Sequence, residues 1–321
     1  MTVTTTILFF LSFFFIELLY FRIADRFHIV DKPNARSSHQ KVTIRGGGII
    51  FCIGMLTFFV TFNFPYPYFI GGLLLICAIS FIDDIHPVSN KLRLLCHFLS
   101  VSLLFYQIGM FSLAIYLVIL SFILAIGIIN AINFMDGING LTGAYSFIAL
   151  ATLWYINAYV VIGFVASDML VVAMLSVGVF TVFNLRIKAK CFAGDVGSVG
   201  IAFILIFFIA NLILKSGNPG YLLLFLVYGL DSVTTIIFRL VRKENIFDAH
   251  RTHFYQFLAN EKRIAHPIVA LSYAICQLLC NILIITINPG ANLKIIWVLL
   301  LVGMVFIVLR FWAQGKKMLL G

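Results

Sequence analysis

Long apolar runs alternate along the chain with short polar segments, and the runs match the roughly 16–22 residues a helix needs to cross a hydrocarbon core. The pattern predicts about eleven membrane helices, over 3–21, 48–64, 67–82, 94–109, 111–129, 141–163, 169–185, 198–214, 220–238, 267–287 and 293–312. The two-residue alternation of a membrane β-barrel is missing. The expected class is therefore an all-α, polytopic integral membrane protein, one transmembrane domain over residues 1–321. The first run follows no basic leader and carries no small-residue cleavage site, so it reads as a retained helix. Polar loops fall near 22–47, 83–93, 130–140, 186–197 and 239–266. The first and last are longer than connection alone requires, and functional loops are the usual reason for such length.

Composition removes the soluble classes. The 321 residues are 62% hydrophobic and 11% charged, where a soluble domain carries about 25% charge. A net charge of +10 raises the question of nucleic acid, but its distribution answers it. With the spans above, all of the 22 Lys and Arg except Lys215 and Lys294 fall on one side of the membrane. The positive-inside rule then puts the amino terminus outside and the carboxyl terminus in the cytoplasm, with no nucleic-acid partner. Some of these cations can also hold phosphate or anionic headgroups. The six cysteines are scattered without a CxxC pair and read as core residues.

The acidic residues change the picture. Asp83, Asp84, Asp136, Asp195, Asp231 and Asp248 sit at or near the ends of apolar runs, on the side that carries the basic loops. Carboxylates are costly at membrane depth, so this repetition points to a shared catalytic or ion-binding site open to the cytoplasm. In FIDDIHPVSNKLR, adjacent Asp83 and Asp84 repel unless a cation offsets them, and Lys91 and Arg93 are near enough to do so. NAINFMDGINGLTG spaces Asn130, Asn133, Asp136 and Asn139 in threes, so that they can share a face and recognise a base or sugar or complete a cation shell. In CFAGDVGS, Asp195 stands between glycines before an apolar helix, suited to magnesium, while Phe192 can stack on a base or simply anchor at the interface. The first loop offers Arg36, His39 and Arg45 to phosphate, and Gly46–Gly48 let amides approach an anion. DAHRTH sets Arg251 between His250 and His253. With no HExxH or cysteine pair nearby, phosphate binding suits them better than zinc. His28, His86, His97 and His266 read singly as interfacial polar residues. No GxxxxGK[ST] loop is present, which argues against an ATP-driven pump.

Taken in order, DKPNARSSH…RGGG, DD…K, NxxNxxDGxNGL, FAGDVGS and HRTHFYQ resemble the bacterial polyprenyl-phosphate N-acetylhexosamine-1-phosphate transferases, relatives of the phospho-N-acetylmuramoyl-pentapeptide transferase, over about residues 31–257. The resemblance implies transfer of a sugar-1-phosphate from a UDP-sugar to undecaprenyl phosphate, with release of UMP, at the bacterial inner membrane. These versions of the motifs look most like the subgroup that starts O-antigen, capsule or related surface glycans, and HRTH in place of three histidines argues against a muramoyl-pentapeptide substrate. Val42 and Ile44 depart from positions often held by proline. By this resemblance Asp195 is a magnesium ligand, Asn139 supplies a second oxygen, and manganese can replace magnesium. Asp83 and Asp84 belong to the metal-diphosphate centre and to activation of the lipid phosphate, and Asp136 lies among the catalytic acids. Phe192, Asn133 and Asn184 contact uridine; His250, Arg251 and His253 hold the diphosphate and sugar; and Lys91 balances phosphate charge. A homodimer is left open. The alternative is a cation- or proton-coupled transporter, which would place its acids near the bilayer midplane.

Overall fold

The computed structural model describes residues 1–31, 42–245, 251–287 and 292–320, with the side chains of 292–295 left aside. The described helices, in chain order, are α1 (Val3–Arg26), α2 (Ile49–Thr61), α3 (Pro67–Ile85), α4 (Asn90–Gln107), α5 (Ile115–Met135), α6 (Leu141–Tyr159), α7 (Ser167–Asn184), α8 (Gly194–Ser216), α9 (Leu226–Val241), α10 (Phe254–Gln256), α11 (His266–Thr286), α12 (Asn292–Gln314) and α13 (Lys316–Leu320). Two short strands, β1 (Val30–Asp31) and β2 (Thr43–Ile44), pair antiparallel beside the end of α1.

Every predicted run is helical, and α9 is entered through a 3-10 turn over Pro219–Phe225. By length and composition, 8 of the helical segments are suited to crossing a membrane, fewer than the run pattern suggested. The 13 residues of α2 rise only about 20 Å, short of the ~30 Å hydrocarbon core. Polar residues dilute two others: Lys91, Arg93 and His97 in α4, and Thr142, Ser146, Thr152 and Asn157 in α6.

The boundaries differ from the apolar runs mostly at one end of the bundle. There α1 runs on to Arg26, α3 to Ile85 and α5 to Met135, while α8 begins at Gly194. Hydropathy stops where apolar side chains stop. The helical backbone continues because the polar side chains at this end satisfy one another.

Burial ranks the helices. In α8, 83% of the membrane-length window is buried, against 22% in α1 and α5 and 17% in α12. A helix apolar on every side belongs in the middle of a bundle, and α8 packs against α3, α5 and α2. On it, Phe69 of α3 stacks with Phe203 and Phe207 at ring separations of 5.7 and 4.1 Å. The outward faces of α1, α5 and α12 are as apolar as lipid, so helix association rests on close packing and interhelical hydrogen bonds. One such bond set is built on Gln277 of α11. Its Oε1 accepts the Tyr145 hydroxyl (2.7 Å) and the Val227 N–H (2.9 Å) where the 3-10 turn passes into α9.

The closest approach is between Gly48, at the mouth of α2, and Gly197 in the first turn of α8. A Cβ on Gly48 would lie 2.2 Å from the Gly197 Cα. Neither glycine has a positive φ; what requires them is the contact between the two backbones. Gly48→Ala is therefore expected to destabilise the protein by at least the ~1–3 kcal/mol typical of overpacking. Gly127→Ala in α5, where a Cβ meets nothing within 4 Å, should be neutral or slightly stabilising. Unfolding of the two variants in a detergent titration checks the contrast.

Candidate active site

The extended ends of α3, α5 and α8 meet, and the meeting is organised by Asp84. Its side chain is fully buried in the last turn of α3. One carboxylate oxygen accepts the Asp195 N–H at 2.8 Å and the other the Val196 N–H at 3.0 Å, so Asp84 caps the start of α8 from another helix. Unpaired amides and the helix dipole make that end attractive to an anion. Gly194, at φ +71°, leaves the room: a Cβ there would fall 2.5 Å from the Asp84 carboxylate. Arg45 completes the pairing with Nε 2.6 Å from Asp84 Oδ1, and its own carbonyl accepts the Tyr20 hydroxyl of α1 at 2.6 Å. Although burial alone lowers the pKa of a guanidinium, Asp84 and Asp195 beside it raise that of Arg45 above its ordinary value.

Asp195 is held more loosely. Its nearest cations are Arg45 Nη2 at 3.4 Å and Arg93 Nη2 at 3.8 Å. Asp83 accepts the Val88 N–H at 2.7 Å and pairs with Arg93 Nη1 at 3.0 Å, so that Arg93 bridges it to Asp195, with which its side chain also shares a hydrogen bond. Asp136 follows the last residue of α5 and accepts the Thr142 hydroxyl at 2.6 Å. Burial pushes its pKa up to about 6; the Thr142 bond opposes this and the nearby Asp84 charge adds to it. Asn133, on the last turn of α5, accepts the Ser198 hydroxyl of α8 at 2.8 Å. Four carboxylates thus gather around two arginines. Lys91 is exposed at the start of α4, and the cation that pairs with Asp83 is Arg93.

Several residues expected to touch substrate hold backbone instead. The Asn184 amide accepts the Gly140 N–H at 2.7 Å and donates to the Cys191 carbonyl at 2.8 Å. Asn139 Nδ2 donates to the carbonyls of Arg186 and Ile187 at 2.9 and 3.2 Å, while its buried Oδ1 has no hydrogen-bond partner. Gly47 and Gly48 donate their N–H groups to the carbonyls of Phe192 and Ala193 at 2.9 and 3.0 Å. Those amides are spent on joining two loops, not left open to an anion. Phe192 is half-buried, and its own N–H donates to the Ile44 carbonyl. His97 is buried in α4, not interfacial, and His266 Nδ1 lies 3.4 Å from the Asn139 N–H.

His253 is also buried, with Nδ1 3.4 Å from Asp231 Oδ1. Arg251, half-buried, precedes it. This segment reaches the aspartate site through Tyr255, whose hydroxyl donates to the Phe134 carbonyl at 2.9 Å and crowds Gly137. Arg36, His39 and His250 lie outside the described residues. Sequence reasoning names Arg45 for phosphate and Arg93 as an offset to Asp83 and Asp84, but misses Tyr20 and Tyr255, whose hydroxyls meet carbonyls that only the fold brings near.

The donor set fits a hard divalent cation. The carboxylates of Asp83 and Asp195 share a hydrogen bond, the cations nearest Asp195 are 3.4 and 3.8 Å away, and an oxygen of Asn139 stands without a partner. Among the described residues no group of three or more His, Cys, Asp or Glu side chains is close enough to hold a metal unaided. One or two carboxylates with waters and substrate phosphates is the usual arrangement for magnesium.

Residues 66–213 match the sequence profile of glycosyl transferase family 4. The chain is similar to a probable undecaprenyl-phosphate N-acetylglucosaminyl 1-phosphate transferase of Bacillus subtilis, 26% identical over 258 residues that cover 74% of this chain and 71% of the relative. It is similar also to the undecaprenyl-phosphate alpha-N-acetylglucosaminyl 1-phosphate transferases of Yersinia pestis (26% identical, 85% and 80% covered) and Escherichia coli K12 (27% identical, 80% and 77% covered).

The unequal grip on the two acids predicts unequal costs. Asp84→Ala leaves Arg45 with only its 3.4 Å contact to Asp195 and α8 uncapped, and should destabilise by about 3–5 kcal/mol. Asp195→Asn should change stability by less than about 1 kcal/mol. Unfolding curves of the purified variants check this, and equal losses would refute the assignment of Asp84 as the structural acid.

Proposed function

The chain belongs to glycosyl transferase family 4, and from that premise we propose that it transfers an N-acetylhexosamine-1-phosphate from a UDP-sugar to undecaprenyl phosphate, releasing UMP. The observation that carries this reading is the convergence of Asp83, Asp84, Asp136 and Asp195 with Arg45 and Arg93 at one end of the bundle. Two anionic substrates need neutralising charge of both kinds, a cation for the diphosphate and acids to hold that cation.

Magnesium, with manganese as a substitute, would be held by Asp195 with Asn139 as a candidate second oxygen, and would supply charge neutralisation of the diphosphate. The protein's own part is to bring the substrates in line. An oxygen of the lipid phosphate bonds to the β-phosphorus of the donor as the bond from that phosphorus to the bridging oxygen breaks, and the electron pair leaves with UMP. Direct displacement is favoured over a carboxylate-bound intermediate. Asp84 is occupied by two amides and Arg45, Asp83 by Val88 and Arg93, and the phosphate nucleophile is already anionic. Arg93 and Arg45 are placed to offset phosphate charge. Arg251, half-buried, is the donor-binding candidate on the segment that Tyr255 ties to the site, while His253 is buried against Asp231.

The site faces the cytoplasm in this proposal, because the aspartate end also carries nearly all the basic loops. The acids stand at helix ends, which suits transfer at the interface better than ion transport through the midplane. The pathway role proposed is the start of a lipid-linked surface glycan such as O-antigen or capsule.

UMP release by purified protein, given undecaprenyl phosphate and a panel of UDP-N-acetylhexosamines, tests the reaction; no release with any donor would refute it. EDTA should stop the reaction and magnesium or manganese restore it. Asp195→Asn should lower turnover by more than the roughly 10–100-fold that outer-shell changes at metal sites cost. Undiminished turnover after chelation would rule out the metal-assisted site.

A further inference from the structure

Asp231 and Arg310 lie outside the stretch that matches the family profile, yet both are at most 1% exposed. Their hydrogen bonds converge on one short segment. Asp231 Oδ1 accepts the Phe254 N–H at 2.9 Å and the Thr235 hydroxyl at 3.2 Å. Its Oδ2 accepts the Tyr255 N–H at 3.2 Å and the Tyr273 hydroxyl of α11 at 2.6 Å. Arg310, from α12, donates through Nη2 to the Thr252 carbonyl at 3.1 Å, through Nη1 to the Thr234 and Thr235 hydroxyls at 2.8 and 2.9 Å, and through Nε to Gln314 at 2.8 Å. Its guanidinium lies 5.1 Å from the Phe238 ring centre and 5.9 Å from that of Phe254. The two charges are 3.9 Å apart.

The carbonyl of residue 252 is thus gripped by a cation and the amides of 254 and 255 by an anion, with His253 between them. The far end of the same segment is fixed by Tyr255, bonded to the Phe134 carbonyl in the turn that bears Asp136. A buried ion pair is a poor source of net stability, because desolvating both charges offsets most of their attraction, and apolar replacements are often as stable. What such a pair does supply is direction: each hydrogen bond has one geometry.

We infer that Asp231 and Arg310 are a positioning pair that sets the 251–255 segment for the donor, so that the carboxyl-terminal helix α12 takes part in donor recognition without touching substrate. This rests on the transferase reading above. Loss of the pair leaves Arg251 in the protein but no longer held in place, so the penalty falls on the UDP-sugar and spares the lipid acceptor.

The test uses Arg310→Met, Arg310→Lys and, as a milder variant, Tyr273→Phe, which removes one hydrogen bond to Asp231 and keeps the ring. Two readouts are taken on detergent-purified protein: deuterium uptake of peptides spanning 251–257, and KM for donor and acceptor from UMP release. Arg310→Met should raise uptake in that segment and raise donor KM about ten- to a hundredfold, with acceptor KM within about twofold. Arg310→Lys should recover part of the loss, since an ammonium keeps the charge without the fork. Tyr273→Phe should raise donor KM about threefold to tenfold and gives the answer should Arg310→Met fail to fold. Unchanged uptake in folded Arg310→Met or Tyr273→Phe overturns the brace. Raised uptake with donor and acceptor KM unchanged, or altered alike, overturns its role in donor binding. Wild-type protein inactive with every donor would instead refute the transferase reading, while the uptake result would still decide the brace.

Discussion

The carboxylate of Asp84 on the first amides of α8 fixes the polar end of the bundle. It converts the start of the most buried helix into one half of a hydrogen-bonded joint, and Arg45 closes that joint from a loop reached by way of α1. An uncapped helix start in an apolar bundle would leave several amides unpaired, each costing about 1–3 kcal/mol. Filling it with a carboxylate satisfies two of them and creates a charge that a cation must answer. Arg45 answers that charge, Tyr20 bonds the Arg45 carbonyl, and the Gly47–Phe192 pairing joins the two loops beside them. Asp195 comes to lie beside this joint with weaker partners, and that is what leaves it available for chemistry.

The separation of duties among look-alike residues follows from the same scarcity of water. Asn139 and Asn184 have the side chains of ligand-binding residues, but each meets loop backbone that would otherwise be buried without partners. Asp231 does for the Phe254 and Tyr255 amides what Asp84 does for α8. In both cases the first amides of a helix are satisfied by an acid from a different helix.

The sequence made the class and the general location of the site legible because apolar runs and the one-sided distribution of charge are properties of composition along a line. Six acids could be grouped from their positions at run ends; the structure brings four of them together, sets Asp231 on the Phe254 and Tyr255 amides instead, and Asp248 lies outside the described residues. Their ranking could not, since whether a carboxylate is spent or available depends on what residues far apart in the chain, such as 45, 84 and 195, bring to it. Nor could a pattern of glycines distinguish amides aimed at an anion from backbones pressed together, as Gly48 and Gly197 are. Helix ends were misplaced on the polar side for a related reason: hydropathy measures the solvent a side chain prefers, and there the preferred surroundings were other side chains.

Those prolonged helix ends carry a further meaning for how the two substrates meet. Three to six residues of helix beyond an apolar run amount to roughly 5–9 Å, which carries the carboxylates past the apolar stretch of each helix and, in the proposed reaction, toward the level of a lipid's own phosphate. In the proposed reaction the acceptor therefore need not be lifted out of the bilayer or drawn into it. It finds the enzyme by lateral diffusion in a plane, with its long tail remaining in solvent that suits it, and only the water-soluble donor arrives from the third dimension.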